Sequence, residues 1–136
     1  VPGGLLAHCL IGGEILKVTC PVSVMVGKKK VHLNLNKYRN MHFVVNNKAK
    51  IAFKTEITGQ VARLPVLGII EIKYTLFLAT KQRTDVSNVC TVVDKFFSDV
   101  LVLLGKIEDD DFNHIKQVSY VFGGFDKKFP RVEAEI

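Results

Sequence analysis

The segment VLGIIEIKYTLFLA, residues 66–79, narrows the choice of fold more than any other. It is rich in β-formers and apolar on both faces for part of its length, the pattern of a central strand covered by helices. Directly behind it, TDVSNVCTVVDKFFSDVLVLLGKIEDDD, residues 84–111, changes period. Val86, Val89, Val93, Phe96, Val100 and Leu104 fall within about 100° of arc at helical spacing, which makes an amphipathic helix with one core face. Asn88 is its expected N-cap and Gly105 its stop.

The rest of the chain supplies partners for this strand and helix. In ILKVTCPVSVMV, residues 15–26, Leu16, Val18, Cys20, Val22, Val24 and Val26 alternate with polar positions, so the stretch predicts a half-buried strand. Pro21 points to an edge position or a bulge within it. GKKK turns the chain into VHLNLN, a short strand with Val31, Leu33 and Leu35 facing in, and NKYRNMHF reads as a polar loop. Over residues 47–63, Ala49, Ala52, Phe53, Ile57 and Val61 mark a helical face from which Lys48, Lys50 and Lys54 project away. Gly59 costs that helix about 1 kcal/mol relative to Ala near its end. Residues 115–122 predict another strand, GGFDKKFP a turn, and RVEAEI a closing strand with Val132, Ala134 and Ile136 on one side. The order β-β-α-β-α-β-β predicts an α+β fold, a mixed β-sheet with two main helices packed on it. Residues 1–136 form a single domain, with 1–13 as a flexible or trimmed N-terminal segment.

Composition limits the function classes. A 136-residue chain that is 48% hydrophobic buries one core and has no room for two. No apolar run approaches the roughly 18 residues of a membrane span, and no basic leader marks a signal peptide. Cys9, Cys20 and Cys90 are odd in number and lack CxxC spacing, which favours reduced thiols and a cytoplasmic protein. His8, His32, His42 and His114 show no ligand spacing. The net charge is +6 but segregated. Residues 1–84 carry 13 Lys and Arg against three acids, and residues 85–136 carry six against ten. Such polarity suits a protein that holds a polyanion with one part and performs acid-dependent chemistry with another. It also describes a solvated surface whose signs happen to separate.

The acids gather around one helix. Asp85 follows a strand predicted to end near Ala79, and Asp109, Asp110 and Asp111 follow the helix. There the dipole disfavours anions. On the helix, Asn88, Val92, Lys95 and Asp99 form a stripe beside the core face, while Asp94 points almost the opposite way. A plain solvated flank and loop would read the same. A divalent metal gives the crowding a purpose, because Mg²⁺ takes one or two protein carboxylates plus water and phosphate oxygens. Phosphodiester cleavage needs such an ion to polarise the phosphate and supply the nucleophile. A basic body with a small acidic centre describes a nuclease.

Residues 85–136 resemble the RusA family of Holliday-junction resolvases. The resemblance lies in Asp85-Val86-Ser87-Asn88, Asp94-Lys95, Asp99-Val100-Leu101, Gly105, Ile107-Glu108-Asp109-Asp110 and Pro130-Arg131-Val132-Glu133, with a looser likeness in VHLNLNKYRN. It implies a homodimeric endonuclease that binds branched DNA, the four-way junction, and nicks two opposing strands with Mg²⁺, or Mn²⁺ in its place. It implies metal-binding roles for Asp85 and for Asp109 or Asp110, and a phosphate-contacting lysine. The chain departs from the family where a second Asp gives way to Ser87 and a Lys to Thr91. Lys95, one turn on, then becomes the candidate catalytic lysine; the site gains a carboxylate elsewhere, with Asp99 one candidate, manages with fewer, or is inactive. A junction-binding protein that has lost its metal site is the alternative, and a general DNA- or RNA-binding module a third reading.

Length adds a constraint. A straight helix over 88–104 spans about 25 Å at 1.5 Å per residue, so Asp85 and Asp109 of one chain do not share an ion pair site about 4 Å wide. Either the helix breaks, or the chain folds back, or two antiparallel helices across a dyad bring the start of one beside the end of the other. The dyad suits a symmetric junction with two strands to cut. The basic half then meets phosphates through Lys28, Lys29, Lys30, Lys37, Arg39, Lys48, Lys50 and Lys54. Tyr38 is a candidate for stacking at an opened branch point, with Phe43 assigned to the core.

Overall fold

Pro21 divides the first alternating run into two strands that belong to different sheets. The computed structural model describes residues 10–11, 14–81 and 84–136. Its elements are β1 (Leu10–Ile11), β2 (Glu14–Ile15), β3 (Lys17–Cys20), β4 (Ser23–Val26), β5 (Lys29–His32), α1 (Leu35–Asn40), α2 (Phe43–Ala62), β6 (Ile70–Leu78), α3 (Val86–Leu103), β7 (Ile115–Phe125) and β8 (Arg131–Glu135). They form one small α+β domain with a mixed sheet and three helices. Most of the expected segment 1–13, with Cys9 and His8, lies outside the described residues.

The main sheet runs β3–β8–β6–β7. β8 is antiparallel to both neighbours, and β6 pairs parallel with β7, Tyr74 lying opposite Ala134 on one side and Tyr120 on the other. Val18, Cys20, Ile72, Tyr74, Val132 and Ala134 are buried on one face beneath α2 and α3. The other face is ionic. Lys17 meets Glu133 at 3.3 Å, and Arg131 meets Glu133 and Asp126 at 2.9 Å each while stacking 4.1 Å over the Phe77 ring. β6 is therefore central, as its sequence predicts, but covered on one face only. Its alternation of Ile70, Ile72, Tyr74 and Leu76 with Glu71, Lys73 and Thr75 records this. β7 closes tightly on β6 at a register shift after Leu76, where a Cβ on Gly123 would stand 2.6 Å from Thr75 Cγ2 and 2.8 Å from the Phe77 ring.

The helices correct the sequence reading in three places. The segment expected as strand and polar loop contains α1 instead. Asn34 caps it by accepting from the backbone N–H groups of Asn36 at 2.9 Å and Lys37 at 3.4 Å. Leu35 thus packs from a helix, and Tyr38 lies against Phe96 with ring centroids 6.0 Å apart. α2 starts earlier than predicted, so Phe43 is its first residue and is 69% exposed, not in the core. Its core face of Ala49, Phe53, Ile57 and Val61 is as expected, and burying a side chain such as Phe53 or Ile57 contributes about 1.5–3 kcal/mol. The cap of α3 lies three residues before the predicted one. Asp85, not Asn88, is its N-cap, and Asn88 sits in the first turn.

Gly105 ends α3 as predicted, at φ 71°. The N–H of Gly105 bonds the Val102 carbonyl at 3.0 Å and that of Lys106 bonds the Leu101 carbonyl at 2.8 Å, a Schellman closure that only a left-handed residue permits. Among the described residues no helix is long and apolar enough to cross a membrane. Cys20 and Cys90 are buried and unbonded.

Candidate functional site

α3 is unbroken over its 18 residues, which makes it about 27 Å long. Asp85 is exposed at its start, and the Asp85 side chain makes no cap bond to the first turn. Asp109 and Asp110 are exposed beyond its end, one helix length away. The structure therefore does not bring Asp85 to Asp109 and Asp110 within one copy, and among the described residues no three His, Cys, Asp or Glu side chains are grouped to hold an ion.

At the end of α3 Asp109 and Asp110 lie side by side. The Asp109 carboxylate accepts from the Asp110 backbone N–H at 2.8 Å. Desolvation, then the Asp109 carboxylate and the more distant Asp99, push the Asp110 carboxyl above the ordinary carboxylate range. A cation relieves this stress, since it favours the charged form of every carboxylate around it. The donor set is hard oxygen, and Mg²⁺ needs only one or two protein carboxylates beside water and phosphate. Asp109 and Asp110, with Asp99 near, fit that requirement.

His114 organises the same loop, and sequence spacing missed it. Its Nδ1 lies 2.6 Å from Asp111 Oδ1 and its Nε2 3.5 Å from Glu108 Oε2. The bond to Asp111 raises the imidazole above its ordinary value, and the same bond holds the Asp111 carboxyl low. Lys106 anchors the loop to α2, donating to the carbonyls of Ala62 at 3.3 Å and Leu64 at 2.6 Å. The available signal was His114 three residues after Asp111, a spacing that joins side chains in a tight turn.

The stripe on α3 divides. Lys95 and Asp99 are exposed, whereas Val92 is buried beneath α1 and Asn88 is half-buried. Asp99 shares a groove of about 240 Å³ with Lys50, Lys54 and Leu103, so two of the predicted phosphate contacts stand across from it. Asp94, which points away from that stripe, is the anchor of the helix. It accepts from the Tyr74 hydroxyl at 2.7 Å and Ser98 Oγ at 3.2 Å, with the Tyr120 hydroxyl at 3.5 Å. One carboxylate thus ties α3 to both β6 and β7.

The other predicted cations are spread over a second region. Lys28 lies in the turn of the β4–β5 hairpin and Lys29 and Lys30 in β5, all three exposed. Lys37 and Arg39 project from α1 rather than from a loop. Lys48 is exposed on α2. Phe43 stacks on His42 with centroids 4.7 Å apart at the start of α2. The chain matches no protein-family model and no curated protein.

Proposed function

We propose that this chain is a cytoplasmic, Mg²⁺-dependent, structure-selective endodeoxyribonuclease that resolves four-way DNA junctions by paired nicks in opposing strands. The observation that carries the reading is the adjacent pair Asp109 and Asp110 beyond the end of α3, with the Asp110 carboxyl raised by desolvation and then by Asp109 and Asp99, and with Lys50 and Lys54 sharing a groove with Asp99. Asp109 and Asp110 would hold the metal, which when bound supplies Lewis-acid polarisation of the phosphate. Lys95, one turn from Asp99 and exposed, is the candidate contact to the phosphate being cut. Lys28 to Lys30, Lys37, Arg39 and Lys48 would hold flanking phosphates, giving a log–log salt slope of about −0.9 per phosphate neutralised.

The reading includes a homodimer, and β7 supports it. No described strand pairs with the outer side of β7, and Val118, Val121 and Phe122 are exposed along it. Antiparallel pairing of two such edges places the dyad beside β7. Because α3 lies over both β6 and β7, and strands are about 4.8 Å apart, the two α3 axes would then run antiparallel about 10 Å apart, the usual helix-packing distance. Asp85 would face Asp110 of the partner subunit, and two composite centres would form.

Cleavage of an end-labelled four-way junction in Mg²⁺, wild type beside Asp110→Asn, tests the function. Paired nicks lost in the variant are expected. Tight junction binding with no nicks in Mg²⁺ or Mn²⁺ would replace this reading with that of a non-cutting junction binder. That second reading draws on Ser87 and Thr91, which bring neither carboxylate nor ammonium to the first turns of α3.

A further inference from the structure

Two clefts of nearly equal size lie on either side of the strand corner at Val22 and Ser23, and their chemistry differs. The first, about 460 Å³, runs along β3 and is lined by Glu56, Gln60 and Phe129. Glu56 is its one charged side chain, and it repels an anion. The second, about 450 Å³, lies among the β4–β5 hairpin, the start of α1, the end of β6 and the first turn of α3. Both volumes fall in the range of about 300–1,000 Å³ usual for small-molecule sites.

The second cleft combines cationic and apolar lining. Lys30 and Lys37 bring ammonium groups to it beside the His32 imidazole, and Leu33, Leu78 and Val89 bring apolar surface. Desolvation first, then the Lys37 and Lys30 ammonium groups, depress the basicity of His32. The walls are built before any ligand arrives. His32 is held in register opposite Ser23 across the hairpin, and the Asn34 side chain at the rim is occupied as the cap of α1. Thr84 and Val89 of the lining bracket Asp85, whose carboxylate is exposed and makes no cap bond.

We propose that this cleft is a subsite for a single unstacked nucleotide of a DNA strand, its base against Leu33, Leu78 and Val89 and its phosphate between Lys30 and Lys37. A duplex is too wide for a cleft of this volume, so the site admits a base only where stacking is already lost. Extrusion costs a few kcal/mol from intact duplex and least where pairing is already broken. The cleft thereby converts branch geometry into selectivity, and the strand that leaves it passes Asp85. The inference rests on the nuclease reading for the origin of the nucleotide, though not for its binding.

The test is a titration of the isotopically labelled full chain with a thymidine tetranucleotide, without metal, followed by amide and imidazole resonances. Ser23, His32, Leu33, Thr80 and Val89 are expected to move together. Thr80→Trp, which fills the cleft mouth from an exposed position, is expected to weaken tetranucleotide binding at least tenfold while the melting temperature stays within a few degrees. Lys30→Gln with Lys37→Gln, both at exposed positions, gives the same loss should the Trp variant fail to fold. Shifts confined to the lysines of α2, no shifts at all, or unchanged affinity in the folded variants would overturn the proposal. Cleft shifts in a chain that never nicks a junction keep this inference and remove the nuclease. Paired nicks with silent cleft resonances do the reverse.

Discussion

The two ends of α3 carry the same residue type under opposite conditions. At the start, Asp85 is exposed, without a side-chain cap bond, near a cleft lined by Lys30, His32 and Lys37. At the end, Glu108 to Asp111 crowd into one loop, closed by a Schellman turn and braced by His114 and Lys106. The helix dipole favours an anion at the first site and disfavours it at the second. The crowded end therefore opposes the helix it terminates, and is held in place by bonds that have nothing to do with helix stability. One end has cations and a single acid, while the other has clustered acids flanked by Lys50, Lys54 and Lys106. In the proposed reading neither end alone is a complete centre, and a head-to-tail pair of helices would add a partner carboxylate to each.

The largest expected effect breaks or proves that complementarity. Asp85→Asn and Asp110→Asn alone should each lower junction cutting at least about 100-fold, about 2.7 kcal/mol in barrier terms. Mixed and refolded together, the two inactive variants should recover nicking of one strand. In a mixed dimer of the proposed form one composite centre would hold both substitutions and the other neither. If each centre belonged to one chain, every centre would carry a defect and mixing would restore nothing.

Next in size is the effect of charging the open sheet edge. The sheet treats its two edges differently. On β3 the Gln60 side chain stands in for a neighbouring strand, donating to the Thr19 carbonyl at 2.9 Å and accepting from its N–H at 2.8 Å. β7 has no such guard among the described residues, and an exposed apolar edge is a pairing template. Val121→Lys, two copies of which would meet near the dyad, should give a monomer by sedimentation with its fold intact and cutting reduced at least about tenfold. Gln60→Ala should cost about 1 kcal/mol and leave the oligomeric state alone. A dimeric, fully active Val121→Lys protein would place the dyad elsewhere.

How much of this was legible follows from which forces are local. The central strand, the closing strand and the core faces of α2 and α3 were readable because burial writes a period into sequence. Ile72 and Tyr74, or Phe53 and Ile57, recur at the spacing of their element. The Gly105 stop was readable because a positive φ selects the residue. α1 was not readable. Four of its six residues are strongly polar, and it is held by one Asn34 cap and by Tyr38 on Phe96, a contact made by residues far apart in sequence. The single covered face of β6 was hidden for the same reason, since Lys73 and Glu135 meet only after strands distant in the chain are paired. For the site, the acid clusters and the lysines were visible as charge. Their separation by an unbroken helix was inferred from its length, but the roles of Asp94 and His114 depended on partners that only folding supplies.

Asp94 sets the rigidity of the rod between the two ends, so its removal is a smaller but cleaner perturbation. Tyr74 is fully buried, and Asp94→Ala leaves its hydroxyl without the carboxylate. The expected cost is about 1–3 kcal/mol, seen as a melting temperature lower by roughly 3–10 °C. Tyr74→Phe, which removes the donor as well, should recover part of that loss in combination with Asp94→Ala. Unchanged melting of the single variant would show that α3 is fixed by its apolar face alone.

The smallest effect contrasts two histidines, one near each end of α3. His114 is bonded to Asp111 and then to Glu108, so its folded pKa is raised, and Asp111 is lowered by the same bond. A raised histidine contributes its stabilisation fully below its unfolded pKa and loses it as pH rises through the folded one. A lowered aspartate contributes above its unfolded pKa and loses it as pH falls through the folded one. The loop brace is thus strongest in mildly acidic solution, above the ordinary aspartate range and up to the ordinary histidine range, and weakens on the alkaline side. His32 shifts the other way, lowered by desolvation and then by Lys37 and Lys30. Imidazole resonances should therefore titrate on opposite sides of the ordinary histidine value, His114 above and His32 below. Asp111→Asn should bring His114 down and leave His32 where it is, whereas an oligonucleotide phosphate held between Lys30 and Lys37 should bring His32 up and leave His114 unmoved. Identical titrations for the two rings would mean that neither end of the helix holds the charge environment drawn for it.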